Sequence, residues 1–264
     1  MQTDSPLAVL SMYDWPEVRI ATDAFWIELR DACRRRDLSA PDTLVRKPPD
    51  SVDQADDDWA YSQWLSPDLL LSQTCGLPFA RFLHGKVQLL GSLAYAIEGS
   101  EFGDYHSVII ASRDSGLKCL DDIDQRHRFA FNNCVSQSGY RAMQKTLESQ
   151  GRPSDWLQGG VESGSHRHSI GLVADGKADF ATIDAVSWLL ATRHEAKASA
   201  VIKIGTTMTT PGLPMICSMG QDPDLVSDAI EEAIGLLAAD AANALGLSGY
   251  RKRPESDYAQ FSDA

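Results

Sequence analysis

The chain has 264 residues, enough for one large domain or two small ones. Asp plus Glu (37) outnumber Lys plus Arg (24), and the net charge of −13 argues against nucleic acid or an anionic membrane as the main partner, because both require a basic face. Hydrophobic residues are 43% and charged residues 23% of the chain, a globular balance, and no apolar stretch approaches the roughly 20 residues of a membrane span.

The segment Met1-Gln2-Thr3-Asp4 carries an acid and no base, and the apolar run at 7–10 is short of the about 7–15 residues of a signal-peptide core. The expectation is a chain without a secretion signal, cytosolic unless a leader has been removed. Ser11 to Pro16 punctuates. From Val18 the spacing predicts a helix with Ile20, Ala24, Ile27 and Leu29 on its apolar face, ending at Arg34-Arg35-Arg36. Basic residues suit the negative end of a helix dipole, so this run reads as a solvated helix end rather than a binding patch. Residues 50–58 hold five aspartates in nine positions and read as a surface loop.

Apolar runs at 69–71, 87–93, 108–111 and 129–131 read as strands, and a helix is expected from about Ser138 to Gln150. Residues 170–174 read as a helix stopped by Gly176, 180–183 as a strand ending at Asp184, and 185–192 as a helix. The last strand candidates are 200–204 and 214–217. An Ala-rich helical region follows over 224–245, with a break expected near Gly235, and the polar tail from Arg251 is expected to fray.

Strands alternating with helices predict an α/β protein of mostly parallel sheets flanked by helices. No GxGxxG or GxxxxGK[ST] motif is present, so neither a dinucleotide fingerprint nor a P-loop is indicated. The five cysteines (33, 75, 119, 134, 217) form no CxxC pair and read as free thiols, and no cofactor or metal is expected. His166 and His168 are two apart, off a common helical face, which argues against a metal pair.

Open α/β sheets bind ligands beyond the carboxyl ends of their strands. The residues following the apolar runs are Ser11 and Tyr13; Ser72, Gln73 and Thr74; Asn132, Ser136 and Ser138; and Asp184. These are mostly uncharged hydrogen-bonding groups, and Gln73 can both donate and accept. Ser136-Gln137-Ser138-Gly139 and Gly164-Ser165-His166 each open a helix. Such starts are plain caps, or they hold an anion on unpaired N–H groups without any Lys or Arg. Asp184 either caps the next helix or balances a ligand cation. Tyr13, Trp15, Tyr95 and Tyr105 either wall a cleft or simply pack.

Several of these segments resemble a known family. Leu69-Leu70-Leu71-Ser72-Gln73-Thr74-Cys75-Gly76 with Pro78, Tyr105-His106-Ser107, Asn132 with Ser136-Gln137-Ser138-Gly139, Gly164-Ser165-His166, and residues 178–184 (ADFATID) stand in the order and spacing found in the phosphate/phosphite/phosphonate-binding proteins of ABC transporters. The resemblance covers about residues 5–220. It implies a type 2 periplasmic-binding-protein fold: lobe one from 1–104 plus 208–264, lobe two from 105–207, and a ligand between them. It implies an anion site of Tyr13, Gln73, Tyr105, Ser136, Ser138 and His166, with Asp184 at the position where aminophosphonate binders hold an amine.

The resemblance further implies a monomeric, non-enzymatic solute-binding protein that takes a small anionic ligand and works with a transporter permease, in the periplasm and without membrane insertion. The alternative is a cytosolic enzyme or ligand sensor on the same scaffold, with His166, Asp184 and Cys75 as its candidate residues.

Overall fold

Residues 5–47 and 57–262 are described by the computed structural model. In chain order the elements are β1 (Leu7–Val9), α1 (Arg19–Arg34), α2 (Asp57–Trp64), β2 (Leu69–Gln73), the single turn α3 (Gly76–Pro78), β3 (Val87–Tyr95), β4 (Asp104–Tyr105), β5 (Ser107–Ser112), β6 (Phe129–Phe131), α4 (Ala142–Ser149), β7 (Val161–Glu162), α5 (His166–Ala174), β8 (Phe180–Asp184), α6 (Ala185–His194), β9 (Val201–Thr206), β10 (Thr210–Pro211), β11 (Pro214–Ser218), α7 (Pro223–Leu236), α8 (Ala239–Leu245) and β12 (Leu247–Arg251). Most of the acidic run at 50–58 lies outside the described residues, as does Met1-Gln2-Thr3-Asp4; its end, Asp57 and Asp58, opens α2 rather than continuing a loop.

The chain forms two compact units, the first from residues 5–47, 57–103 and 211–262, the second from 104–210. The segments that carry the chain from one to the other, β4 and β10, pair in a two-stranded ladder.

The first unit is a five-stranded sheet in the order β1-β2-β11-β3-β12. Its core brings Phe25, Trp26 and Leu29 of α1 and Val226 and Ile230 of α7 onto Leu70, Leu71, Leu90 and Met215 of the strands. The α1 face differs from the sequence expectation. Ile20 is 88% exposed and Ile27 45%, while Ala21, Thr22, Phe25, Trp26, Leu29, Ala32 and Cys33 are buried. The two large aromatics set the phase, because a buried Phe–Trp pair removes more apolar area from water than two isoleucines. The arginines at the end of α1 are not merely solvated either. Arg35 and Arg36 bind the two carboxylate oxygens of Glu232 on α7 at 2.5 and 2.6 Å.

The second unit is a sheet in the order β7-β6-β8-β5-β9. Phe129 stacks on Phe180 with ring centroids 5.0 Å apart, and both join a core with Phe131, Tyr140, Met143 and Leu147.

The α/β class holds, but the sheets are mixed rather than mostly parallel. β1 with β2, and β6 with β7 and β8, are parallel. β11 runs antiparallel to both neighbours, β2 and β3, and β5 to both of its own, β8 and β9. β5 and β11 are the first strands of the sheets that the chain reaches after passing from one unit to the other. Helical crossovers make parallel neighbours, and a strand reached without one is free to run the other way.

The C-terminal segment corrects the expected frayed tail. β12 pairs with β3, and a 3-10 helix at Glu255–Phe261 buries Tyr258 and Phe261. Arg253 is buried and donates to Ser92 Oγ (2.7 Å), the Gly103 carbonyl (2.6 Å) and Asp257 (3.1 Å). The break in the Ala-rich region falls at Leu237–Ala238, where the backbone is extended, and Gly235 stays inside α7. Leu237 packs into the core, so the chain leaves the helix to place that side chain.

Candidate functional site

In the second unit, β6 ends at Phe131 and the next two carbonyls hold a distant segment. Phe131 O accepts from Ser163 N at 2.8 Å and Asn132 O from Gly164 N at 2.9 Å. Gly164 has φ +81°, a left-handed conformation that glycine adopts without steric cost. The chain therefore turns sharply into α5, whose first residue is His166. Ser165 caps that helix, its Oγ accepting from His168 N at 3.1 Å.

Ser136 caps a second helix start, its Oγ accepting from Gly139 N at 3.0 Å. Residues Gln137–Arg141 form one π-type turn that runs directly into α4. Such single wide turns concentrate at functional sites. The opening amides of any helix lack intrahelical acceptors and carry partial positive charge.

The two helix starts meet side chain to side chain, with Ser138 Oγ 3.0 Å from His166 Nε2. His166 is partly buried, and burial pushes its pKa down to about 4. The imidazole is therefore neutral at pH 7 and offers hydrogen bonding rather than charge. The folded-state value lies below the ordinary 6.5, so the unfolded chain binds the extra proton first. This group's contribution to stability is complete above pH 6.5 and is lost as pH falls toward 4. A side-chain NMR titration of the ligand-free protein should place the His166 midpoint near 4, and His166→Gln should flatten the stability profile between those limits. A midpoint near 6.5 would contradict the burial argument.

Asp184 ends β8 and is buried, with Oδ1 accepting from Val186 N (2.8 Å) and Ser187 N (3.0 Å). That oxygen caps α6. Tyr105 lies on β4, also buried in this unit. The remaining candidates are in the first unit. Tyr13 is buried, edge-to-face with Tyr95 at 5.3 Å. Gln73 is buried at the end of β2, and its Nε2 has no hydrogen-bond partner among the described residues. Ser72 is not available to a ligand in the way the strand-end reading expected, because its hydroxyl is donated to Val9 O at 2.9 Å within the sheet. Of the three candidates for an enzyme, Cys75 belongs to the first unit and His166 and Asp184 to the second.

Two residues near the second-unit cluster, Ser107 and Thr182, stand in segments that carry the resemblance (Tyr105-His106-Ser107 and residues 178–184) without being marked there as site residues. Ser107 on β5 donates its hydroxyl to Ser138 O at 2.8 Å, and Thr182 on β8 donates to Gly139 O at 2.6 Å. The local signal for this role is a hydroxyl within a largely apolar strand, which demands a partner once buried.

A separate cavity of about 530 Å³ beside α5 holds two ion pairs, Arg167 with Glu195 at 2.7 Å and Lys197 with Asp175 at 2.8 Å, and is also lined by Glu162 and His168. Among the described residues, no cluster of three or more His, Cys, Asp or Glu could hold a metal, and no helix is long and apolar enough to cross a membrane.

Residues 73–258 match the family model of the ABC transporter, phosphonate, periplasmic substrate-binding protein. No curated protein matches the chain significantly in sequence. Among solved structures, PhnD1 from Prochlorococcus marinus (MIT 9301), in complex with methylphosphonate, superposes with a TM-score of 0.69 at 14% identity, covering 99% of this chain and 97% of that one. A binding protein component of an ABC phosphonate transporter from Pseudomonas aeruginosa gives a TM-score of 0.69 at 14% identity, over 96% and 83% of the two chains. XAC2383 from Xanthomonas citri, bound to chloride ion, gives 0.68 at 15% identity over 99% of each. At these identities the likeness establishes the shared two-lobe fold.

Proposed function

The chain belongs to the family of periplasmic substrate-binding proteins of phosphonate ABC transporters, and on that premise we propose that it captures a small phosphorus oxyanion (phosphate, phosphite or a phosphonate) through Ser136, Ser138 and His166. The observation that carries this reading is the 3.0 Å approach of Ser138 Oγ to His166 Nε2, which joins the starts of two helices. Hydroxyls and opening amides replace the hydration shell of an anion, and helix dipoles supply attraction without a cationic side chain. A protein of charge −13 can hold an anion in this way, because the field at the site is set by local dipoles.

Tyr105 and Asp184 of the same unit are further proposed contacts, with Asp184 recognising an amine where the ligand carries one. Single substitutions at Tyr13 and Gln73 test the two proposed positions in the first unit. The family is one of binding proteins, and this reading assigns the chain no turnover: ligand is recovered unchanged and is passed to a membrane permease. It also places the chain in the periplasm.

Isothermal calorimetry against phosphate, phosphite, methylphosphonate and 2-aminoethylphosphonate tests the reading. Ser138→Ala is expected to weaken the best ligand about 10- to 100-fold, the loss of one hydrogen bond to a charged group. No heat at millimolar concentrations of any of the four would overturn it.

A further inference from the structure

The proposed anion site is built on a π-type turn, and such a turn carries a structural cost. Inserting one residue into a helical ladder leaves a carbonyl without an N–H donor from the helix itself. In this protein the carbonyls of Ser138 and Gly139 sit within that turn, and each receives a hydroxyl from the sheet below. Ser107 Oγ donates to Ser138 O at 2.8 Å, and Thr182 Oγ1 donates to Gly139 O at 2.6 Å. Both donors are at most 1% exposed, beyond the reach of solvent as an alternative partner.

The donors stand on adjacent strands, where Ile109 of β5 pairs with Thr182 and Ser107 pairs with Asp184. Ser107 is itself fixed, its N–H donating to Thr207 Oγ1 at 2.9 Å and its carbonyl accepting from Thr207 N at 2.9 Å. Thr182 holds Gly139 through its side chain, next to the Ser138 hydroxyl that meets the His166 ring.

We infer that Ser107 and Thr182 are positioning residues for the anion site, two buried strand hydroxyls that hold the carbonyls of Ser138 and Gly139 so that the opening amides and Ser138 Oγ point at the ligand. Neither needs to touch the ligand. A donor on the carbonyl side of a peptide also polarises that peptide, which strengthens its neighbours in a hydrogen-bond chain. The inference deepens the oxyanion reading and rests on it for the ligand, although the order of the turn is measurable without one.

Thr182→Val keeps the volume and removes the donor. In the ligand-free protein, amide hydrogen exchange over residues 137–141 should quicken about tenfold, with exchange across β3 unchanged, as expected for loss of one hydrogen bond worth about 1–1.5 kcal/mol. Affinity for the ligand identified by calorimetry should fall about tenfold or more on the same basis. Thr182→Ser should restore both within about threefold, since the hydroxyl alone is at issue. Ser107→Ala serves as the second variant and should loosen the same turn, so the inference is judged even if Thr182→Val does not fold. Unchanged exchange at 137–141 in both variants overturns the inference, as does a Thr182→Ser protein no better than Thr182→Val, which would assign the effect to methyl packing. If the wild type binds none of the four ligands the oxyanion reading fails, and the exchange data alone then decide whether the two hydroxyls order the turn.

Discussion

Gly139→Ala is expected to abolish oxyanion binding while leaving the second unit folded. A Cβ at this position would stand 1.7 Å from Asn132 Oδ1 and 3.1 Å from Ser136 Oγ. The first distance is far inside van der Waals contact, so Asn132 or the turn has to move. The Asn132 backbone is tied by its carbonyl to Gly164 N, while its Oδ1 is buried without a hydrogen-bond partner among the described residues and its Cγ would also stand 2.8 Å from the new Cβ, so relief comes from turning the Asn132 side chain within a packed site or from moving the turn. Movement of the turn breaks the Ser136 cap and separates Ser138 from His166, disturbing at least two of the proposed ligand contacts at once.

With each hydrogen bond to a charged group worth about 1.5–3 kcal/mol, the affinity should fall by a factor of about 100 or more. The core of Phe129, Phe180, Met143 and Leu147 is not touched, and the melting temperature should change little. Calorimetry against the preferred ligand measures the loss. Asn132→Ala in the same chain should recover part of it, since removing Oδ1 removes the clash, a non-additivity expected of residues in contact. Wild-type affinity in Gly139→Ala would show that the turn is not held rigidly.

Tyr258→Ala is expected to produce the largest loss of stability among single substitutions in the C-terminal segment. Tyr258 is 1% exposed, meets Phe79 edge-to-face at 5.3 Å and donates its hydroxyl to Gly212 O at 2.7 Å. Truncating a buried aromatic costs about 3–5 kcal/mol, including the cavity left behind. At about 2–4 °C per kcal/mol for a chain of this size, the unfolding transition of the first unit should fall by about 10 °C. Differential scanning calorimetry reads this directly. A shift under about 2 °C would mean that the segment frays as its polar composition suggests. Arg253→Met should act in the same direction by removing the donors to Ser92 Oγ and Gly103 O from a buried position.

The parts of the site that were legible in the sequence are local. Ser136 and Ser165 announce helix starts because a cap and the amide it serves lie three residues apart, and both caps are made as that spacing requires. Asp184 was open between a cap and a counter-charge, and its Oδ1 makes the cap. Strands over 69–71, 87–93, 108–111 and 129–131 were legible because a buried strand is a short run of apolar residues. The ordered set of short segments carried the family, which the match over residues 73–258 shows.

What escaped the sequence depends on contacts between distant residues. Thr182 meets Gly139 across 43 positions and Ser107 meets Ser138 across 31, and neither pairing leaves a periodic trace. The phase of α1 is ambiguous in the sequence because Ile20 and Ile27 fit a helical face as well as Phe25 and Trp26 do, and only packing against α7 and the sheet selects between them. The polar tail read as frayed because its few apolar residues are scattered, yet Arg253, Tyr258 and Phe261 each find a buried partner already in place. Strand direction in β5 and β11 follows from how the chain enters each sheet, which composition does not encode.

The sequence by itself determined the α/β class and the helix starts, since these follow from spacing over a few residues. The tertiary structure alone decided which hydroxyls are spent on the backbone and which meet another side chain. Ser72, Ser107 and Thr182 go to the first purpose, while Ser138 pairs with His166. The physical reason is that a hydroxyl's role is set by the acceptor nearest to it once water is gone, and that acceptor is supplied by another strand or turn.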